Sequence, residues 1–369
     1  MLRPTVAHID LSAIKDNILA IRARVGANVK IMPAIKANGY GHGAVHVSRA
    51  CLDAGADVLC VACVEEGIEL REAGIDAPIL ILGCSNLEAV KPIVRYNIVC
   101  TVCDLSIAQA LSDEAMADGS RVSVHVKIDT GMGRIGIPVE KAVSFVESLI
   151  SLPGISLDGV FTHFPSADEA DRSFTLSQIV TFKNIINEIS SRGIHIDLSH
   201  ASNSGGILAY PEADFNAVRP GIMIYGLYPS PDVSRSIPLR EALTLKTQIV
   251  FLKTACAGNT VSYGRTYTVK RESIVATIPI GYADGYPRVL SNCGEAAVGG
   301  VRVPIIGRVC MDQCLVDVTA VSNVRVGDEV VLYGGGYEFL SVGTIAENIC
   351  TIPHELLCAI TSRVPRTYF

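Results

Sequence analysis

No apolar run in this sequence reaches the length needed to span a bilayer, although hydrophobic residues make up 49% of it. Core material is plentiful without a membrane segment. A basic cluster is also missing, and the formal net charge of −6 argues against nucleic acid or an anionic membrane surface as partner. The opening M-L-R-P-T-V-A-H-I-D lacks the apolar core of a signal peptide, which predicts a cytoplasmic protein. Nor do the twelve cysteines form a disulfide framework. They fall mostly inside apolar runs such as V-L-C-V-A-C and I-V-C-T-V-C. Both runs are formally C-x-x-C, but on a strand Cys60 and Cys63 point to opposite faces, as do Cys100 and Cys103, so neither pair can readily close on one metal ion. Reduced, buried thiols and no metal are expected.

With 369 residues the chain has room for two domains. A helix is predicted from Leu11 to Val25, where Ile14, Ile18, Leu19 and Ile21 recur at helical spacing behind a candidate N-cap, Asp10. Apolar runs of strand character follow near Val29 to Ile35, Val58 to Ala62, Ile79 to Leu82, Ile98 to Val102, Val122 to Ile128, Leu157 to Thr162, Ile196 to Leu198 and Val218 to Ile224. Amphipathic stretches such as T-F-K-N-I-I-N-E-I-S-S-R-G separate most of them, which implies parallel βαβ units. Eight such units in about two hundred residues predict a TIM (β/α)8 barrel. Past Gly226 the texture changes to a linker-like P-S-P-D-V-S-R-S-I-P-L and then to short runs broken by Gly and Pro. Strands are predicted near Ile274 to Ile280, Val301 to Ile306, Cys314 to Val318 and Glu329 to Tyr333, with one helix near Val342 to Ile349. The reading is an α/β chain: a barrel over 11–230, a mostly β domain over 231–369, and residues 1–10 joining that second domain as a strand.

Catalytic groups of such barrels gather at the C-terminal ends of the strands. Lys36 ends the first predicted strand, before the glycine-punctuated A-N-G-Y-G-H-G. A lysine there is either a Schiff-base nucleophile, its pKa lowered by desolvation, or a packed stem whose ammonium reaches solvent. Lys127 and Asp129 end the fifth strand with Arg134 beyond, His163 ends the sixth, Asn203 and Ser204 follow the seventh, and Arg219 lies in the eighth. So many functional side chains at five strand ends are difficult to explain as a solvated face. Ser204, Gly205 and Gly206 at a helix start offer a hydroxyl and backbone donors to an anion; an N-cap serine is the plainer reading. One rival motif is Gly131 to Gly136, which satisfies G-x-G-x-x-G with Asp158 downstream. It is a weak dinucleotide site, because it falls mid-series and puts Arg134 where a pyrophosphate needs close backbone approach.

The stretches K-A-N-G-Y-G-H-G, K-I-D-T-G-M-G-R-I-G, H-A-S-N-S-G-G, V-R-P-G-I-M-I-Y-G, V-S-Y-G-R-T-Y, G-Y-A-D-G-Y-P-R and G-R-V-C-M-D-Q together resemble the alanine racemases along nearly the whole chain. That resemblance implies pyridoxal phosphate joined to Lys36, with Tyr40, Ser204, Gly221 and Ile222 on its phosphate, Asn203 nearby, and Arg219 on the pyridine nitrogen supported by His163. It implies Arg134 on the cofactor's phenolic oxygen and the substrate carboxylate, oriented by Lys127, which matches a position carbamylated in some members. Tyr263 becomes the second acid/base, acting on the partner's site in a homodimer, although an unperturbed phenol titrates near ~10 and is a poor base at neutral pH. Tyr282 falls at the substrate entrance, and Met311 with Asp312 borders the substrate carboxylate. The activity implied is two-base interconversion of L- and D-alanine for peptidoglycan. One position departs from the family: T-I-P-H-E-L-L carries His354 where a tyrosine touches the phosphate and narrows the pocket. This opens serine or a broader amino-acid range as an alternative substrate. A decarboxylase of similar architecture would lack the tyrosine base, and a non-catalytic pyridoxal-phosphate binding protein would need only the barrel.

Overall fold

The computed structural model describes residues 3–369, and they fall into two compact units. One unit comprises 14–39 and 44–240; the other comprises 3–13, 40–43 and 241–369.

The first unit is a closed parallel barrel. Its eight strands, in chain order, are Lys30–Ile31, Leu59–Val61, Ile79–Ile81, Cys100–Val102, Val122–Asp129, Ile155–Phe161, Leu198–His200 and Ala217–Val218. Each pairs in parallel with its neighbours, the eighth returns to the first, and single bridges Ala34↔Cys60 and Leu80↔Val99 complete the ring. Met32, Val58, Cys60, Leu80 and Ala217 fill part of the interior, so this is a packed core rather than a pore. The eighth strand is shorter than the apolar run that predicts it: Val218 ends it, Arg219 lies just outside, and Ile222–Tyr225 is a 3-10 turn. Pro220 and Gly221 explain the break, since proline donates no ladder hydrogen bond.

Helix Leu11–Val25 begins at Asp10, whose carboxylate accepts from the Ala13 amide at 3.0 Å. Ile14, Ile18 and Ile21 are buried, but Leu19 is exposed: it falls one position off the stripe, where 3.6-residue periodicity turns it to solvent.

The second unit is built on a nine-stranded mixed sheet, beside a short hairpin of Thr260–Val261 with Tyr267–Thr268. Strand Val6–Ile9 runs antiparallel to Leu243–Gln248 and parallel to Arg366–Tyr368. Strands Ser273–Ile278, Val301–Ile306, Cys314–Asp317 and Glu329–Tyr333 occupy the runs predicted for them. Two helices are present where the sequence suggests one, because Pro353 opens a second, Pro353–Ala359, after Val342–Asn348. Proline at the first helical position costs no hydrogen bond and pre-sets φ. No helix among the described residues is long and apolar enough to cross a membrane.

The cysteines correct another expectation. Cys51, Cys60, Cys100 and Cys314 are buried, but Cys63, Cys84, Cys256, Cys293, Cys350 and Cys358 are exposed, since several runs end at the cysteine rather than enclosing it. All twelve are free thiols.

Candidate active site

Lys36 opens a turn of unusual hand. Ala37, Asn38, Gly39 and Tyr40 have φ of 52°, 54°, 60° and 50°, a full left-handed turn built mostly from residues with a Cβ. Each such residue costs roughly 1–2 kcal/mol, so the turn persists only because its surroundings over-determine it. Glu66 supplies much of that restraint: one carboxylate oxygen accepts from the Ala37 amide and the other from the Ala62 amide, both at 2.7 Å. The Gly39 amide donates to the Ile35 carbonyl at 2.7 Å, and the Asn38 side chain accepts from the Ala44 amide at 2.9 Å. Lys36 is thereby left half-buried with a fixed backbone, just past the bridge residue Ala34 that extends the first barrel strand. Nothing in the pattern of V-E-E-G marks Glu66 for this task, because its partner on the Lys36 turn, the Ala37 amide, belongs to a segment 29 residues away.

Arg219 is buried, and its guanidinium is held from several sides. It donates to the carbonyls of Thr162 at 2.7 Å and Ala201 at 2.9 Å, and to His200 Nδ1. Its contact with His163 Nδ1 is long, at 3.4 Å. The firmer support is therefore His200, a residue that sequence reasoning misses. Accepting from arginine at Nδ1 fixes the tautomer: His200 carries its proton on Nε2 and donates it to His125 Nδ1 at 2.8 Å. Burial and the arginine's charge hold His200 well below the usual histidine range, and burial pushes His125 down to about 4. The relay is neutral and serves as a rigid prop.

Lys127 lies in the fifth strand, buried, with Nζ 5.3 Å from the centre of the Phe161 ring; Arg219 lies 5.2 Å from the same ring. Burial, with Arg219 and Arg134 adding repulsion, lowers the Lys127 ammonium to about 8. His163 is held well below its usual range by burial and by the charges of Arg219, Lys127, Arg134 and Lys36. Five potential cations thus share one end of the barrel. The largest charge effects on His163 all come from cations, and Arg219 and Arg134 lead those on Lys127, so the cluster fits an anionic ligand with more than one charged oxygen.

Ser204 also differs from its plainer reading. The N-cap of helix Ser204–Ala209 is Asn203, whose side chain accepts from the Gly206 amide at 3.0 Å. The Ser204 hydroxyl accepts instead from the amides of Gly221 at 3.0 Å and Met223 at 3.4 Å, which leaves its own hydrogen to donate. Gly221 and Ile222 are buried beside it. The glycine motif at 131–136 is not a phosphate loop: Asp129 accepts from the amides of Gly131 and Gly133, each at 3.0 Å, consuming the donors a pyrophosphate would need. Arg134, inside the motif, is exposed.

In the sheet unit, Tyr40 and His354 are neighbours, with ring centres 5.6 Å apart. Tyr40–Gly43 is tied down by Arg366, whose Nε donates to the Gly41 carbonyl at 3.0 Å while its other nitrogens reach the carbonyls of Ile360, Thr361 and Val364. Gly41, at φ +80°, admits no side chain, because a Cβ would lie 2.3 Å from the Leu357 carbonyl oxygen. Tyr263 stands 73% exposed on a kinked 3-10 turn, and Tyr282 and Met311 are also exposed. Asp312 accepts from Arg363 at 2.7 Å.

Two family models match the chain: the N-terminal domain of alanine racemase over residues 9–229 and its C-terminal domain over residues 242–368. The alanine racemase of Desulforamulus reducens is 45% identical over the full length of both chains. That of Halothermothrix orenii is 46% identical over 99% of this chain and 97% of its own. Among solved structures, alanine racemase from Clostridium difficile 630 superposes with a TM-score of 0.95 at 39% identity, covering 99% of this chain and 96% of that one. The Bacillus anthracis alanine racemase with bound L-Ala-P gives 0.92 at 38% identity, covering 100% and 95%.

Proposed function

This chain belongs to the alanine racemase family, and from that membership we propose that it interconverts L- and D-alanine with pyridoxal phosphate as cofactor, supplying D-alanine for peptidoglycan. The observation that carries the cofactor reading is the cation cluster around Arg219 and Lys127, whose members lower one another's pKa and which fits a ligand bearing a phosphate and a phenolic oxygen. Lys36 would attach the cofactor; Ser204, Gly221, Ile222 and Tyr40 would hold its phosphate, with Asn203 fixing the helix start beneath. When bound, pyridoxal phosphate supplies the electron sink that acidifies the Cα–H of an attached amino acid. Arg219 offers only donors, so it would keep a pyridine nitrogen held against it unprotonated and would thereby moderate the sink the cofactor supplies. Arg134 would receive the substrate carboxylate, with Lys127 orienting it as the free amine or as a carbamate. Lys36 and Tyr263 then hold and move the Cα proton from opposite faces, Lys36 on the D side and Tyr263 on the L side.

The exposure of Tyr263, Tyr282 and Met311 on the single chain supports a homodimer in which these side chains complete the partner's site. Twelve free thiols support a reducing, cytoplasmic setting. The cofactor reading is tested directly. Purified protein should be yellow, lose its visible absorption band on borohydride reduction, and yield the label on the peptide containing Lys36. Colourless protein that gains no band with added pyridoxal phosphate overturns it.

Serine is a second substrate on this reading, and the observation favouring it is His354. Half-buried beside Tyr40, it is shorter than the family tyrosine and brings ring nitrogens that can hold a hydroxyl. A hydrophobic pocket rejects an added hydroxyl by only roughly a hundredfold, and one hydrogen bond recovers about 1 kcal/mol of that. His354→Tyr should therefore raise the ratio of alanine to serine turnover by roughly three- to tenfold. Parallel assays of both amino acids across pH decide it; an unchanged or lower ratio removes His354 from specificity.

A further inference from the structure

The mouth of the barrel carries a pair of thiols that the racemase reading does not use. Cys84 follows the third barrel strand and Cys103 follows the fourth, and their sulfurs lie 3.0 Å apart. The approach has a topological cause. Leu80 pairs in parallel with Val99, and each cysteine stands four residues beyond its member of that pair, so the two occupy matching positions on neighbouring strand extensions. Neighbouring strands run about 4.8 Å apart, inside the range of Cα separations that a disulfide accepts. Cys84 is exposed and Cys103 is half-buried, which gives a hydroperoxide access to one sulfur and shelters the other.

We propose that Cys84 and Cys103 form a reversible thiol–disulfide site at the barrel mouth, in which Cys84 reacts first with a hydroperoxide and Cys103 resolves the product. In the first step the Cys84 sulfur attacks one peroxide oxygen. The O–O bond breaks, an S–O bond forms, the thiol proton leaves with the departing oxygen as water or alcohol, and sulfur is oxidised while peroxide is reduced. In the second, Cys103 attacks the Cys84 sulfur; the S–S bond forms, the S–O bond breaks, and hydroxide departs with the Cys103 proton as water. Burial, the hydrogen bond to Cys84 and its charge push the Cys103 thiol up to about 12. The ammonium of Lys127 opposes that rise and favours the attacking thiolate when the second step occurs. Both sulfurs act in turn on Lys127, where their negative forms would raise its pKa. Crosslinking removes them and leaves that ammonium facing Arg134 and Arg219. The sequence directs attention instead to Cys60 with Cys63 and Cys100 with Cys103, pairs along one strand; the sheet chooses the pair across two.

The test is peptide mapping of the full chain, reduced, exposed to hydrogen peroxide and then alkylated. A single crosslinked species joining Cys84 to Cys103, two hydrogens lighter, should form, with Cys103 capturing the Cys84 sulfenic acid at least roughly tenfold faster than peroxide oxidises it further, because the resolving thiol is already in contact. Dithiothreitol should restore both thiols. In Cys103→Ser the Cys84 sulfenic acid should accumulate and be trapped by dimedone; in Cys84→Ser, Cys103 should remain alkylatable. The proposal fails if Cys84 and Cys103 both stay alkylatable after peroxide treatment, if Cys84 pairs with Cys63, or if Cys84 over-oxidises without crosslinking.

Discussion

Lys36→Ala and Tyr263→Phe proteins should each lose racemase activity by roughly a hundred- to ten-thousand-fold, the usual worth of a positioned acid or base. Combined in one heterodimer, they should regain it. If Tyr263 serves the partner's site, a heterodimer holds one site lacking both groups and one with both intact. Random pairing makes half the dimers mixed, so about a quarter of wild-type activity should return, as two-fold symmetry requires. Two observations motivate the experiment: Tyr263 is 73% exposed on a single chain, and Lys36 is held by a left-handed turn that fixes it at the end of its strand. Differently tagged chains, co-expressed and purified for heterodimers, make the composition verifiable. Verified heterodimers without activity would show that each chain completes its own site.

Gly159→Ala, a single methyl, should reduce activity at least roughly tenfold and destabilise the protein by about 1–3 kcal/mol, the usual cost of overpacking a core. Gly159 pairs with His125 on the adjacent strand, and a Cβ built there lies 2.7 Å from two atoms of the His125 ring. The ring has little freedom to yield, being buried and hydrogen-bonded to His200, which in turn accepts from Arg219. Replacing glycine by alanine also contributes about 0.4–1 kcal/mol of stability by restricting the unfolded chain, which is smaller than the clash. The displacement is therefore transmitted to Arg219. Thermal unfolding and kcat measured on Gly159→Ala, and on Gly159→Ala combined with His125→Asn, separate this route from a general loss of packing. The shorter side chain keeps an acceptor for His200 while vacating the space, so the double variant should be more stable than Gly159→Ala alone. Equal stability would mean that His125 does not transmit the strain.

The barrel, the β sheet and many of the strand-end residues were legible in the sequence because each leaves a local signal. Period-two and continuous apolar runs mark strands, 3.6-residue spacing marks the helix from Leu11, and motifs such as K-A-N-G-Y-G-H-G and V-R-P-G-I-M-I-Y-G carry the family resemblance. Where local pattern alone had to decide, it erred in understandable ways. Leu19 fitted a helical count but missed the stripe, and Ser204 looked like a cap when the adjacent Asn203 takes that place.

Other features arise only where distant segments meet. Glu66 braces the Lys36 turn through backbone amides, His200 and His125 prop Arg219 from two other strands, and Gly159 is required by a ring 34 residues earlier in the chain. Cys84 and Cys103 touch because parallel register places them side by side. A sequence states what each residue is and how its near neighbours repeat. Closing the sheet into a ring decides which side chains share a wall, and the short range of hydrogen bonds and steric contacts makes that adjacency, rather than sequence separation, determine what they do.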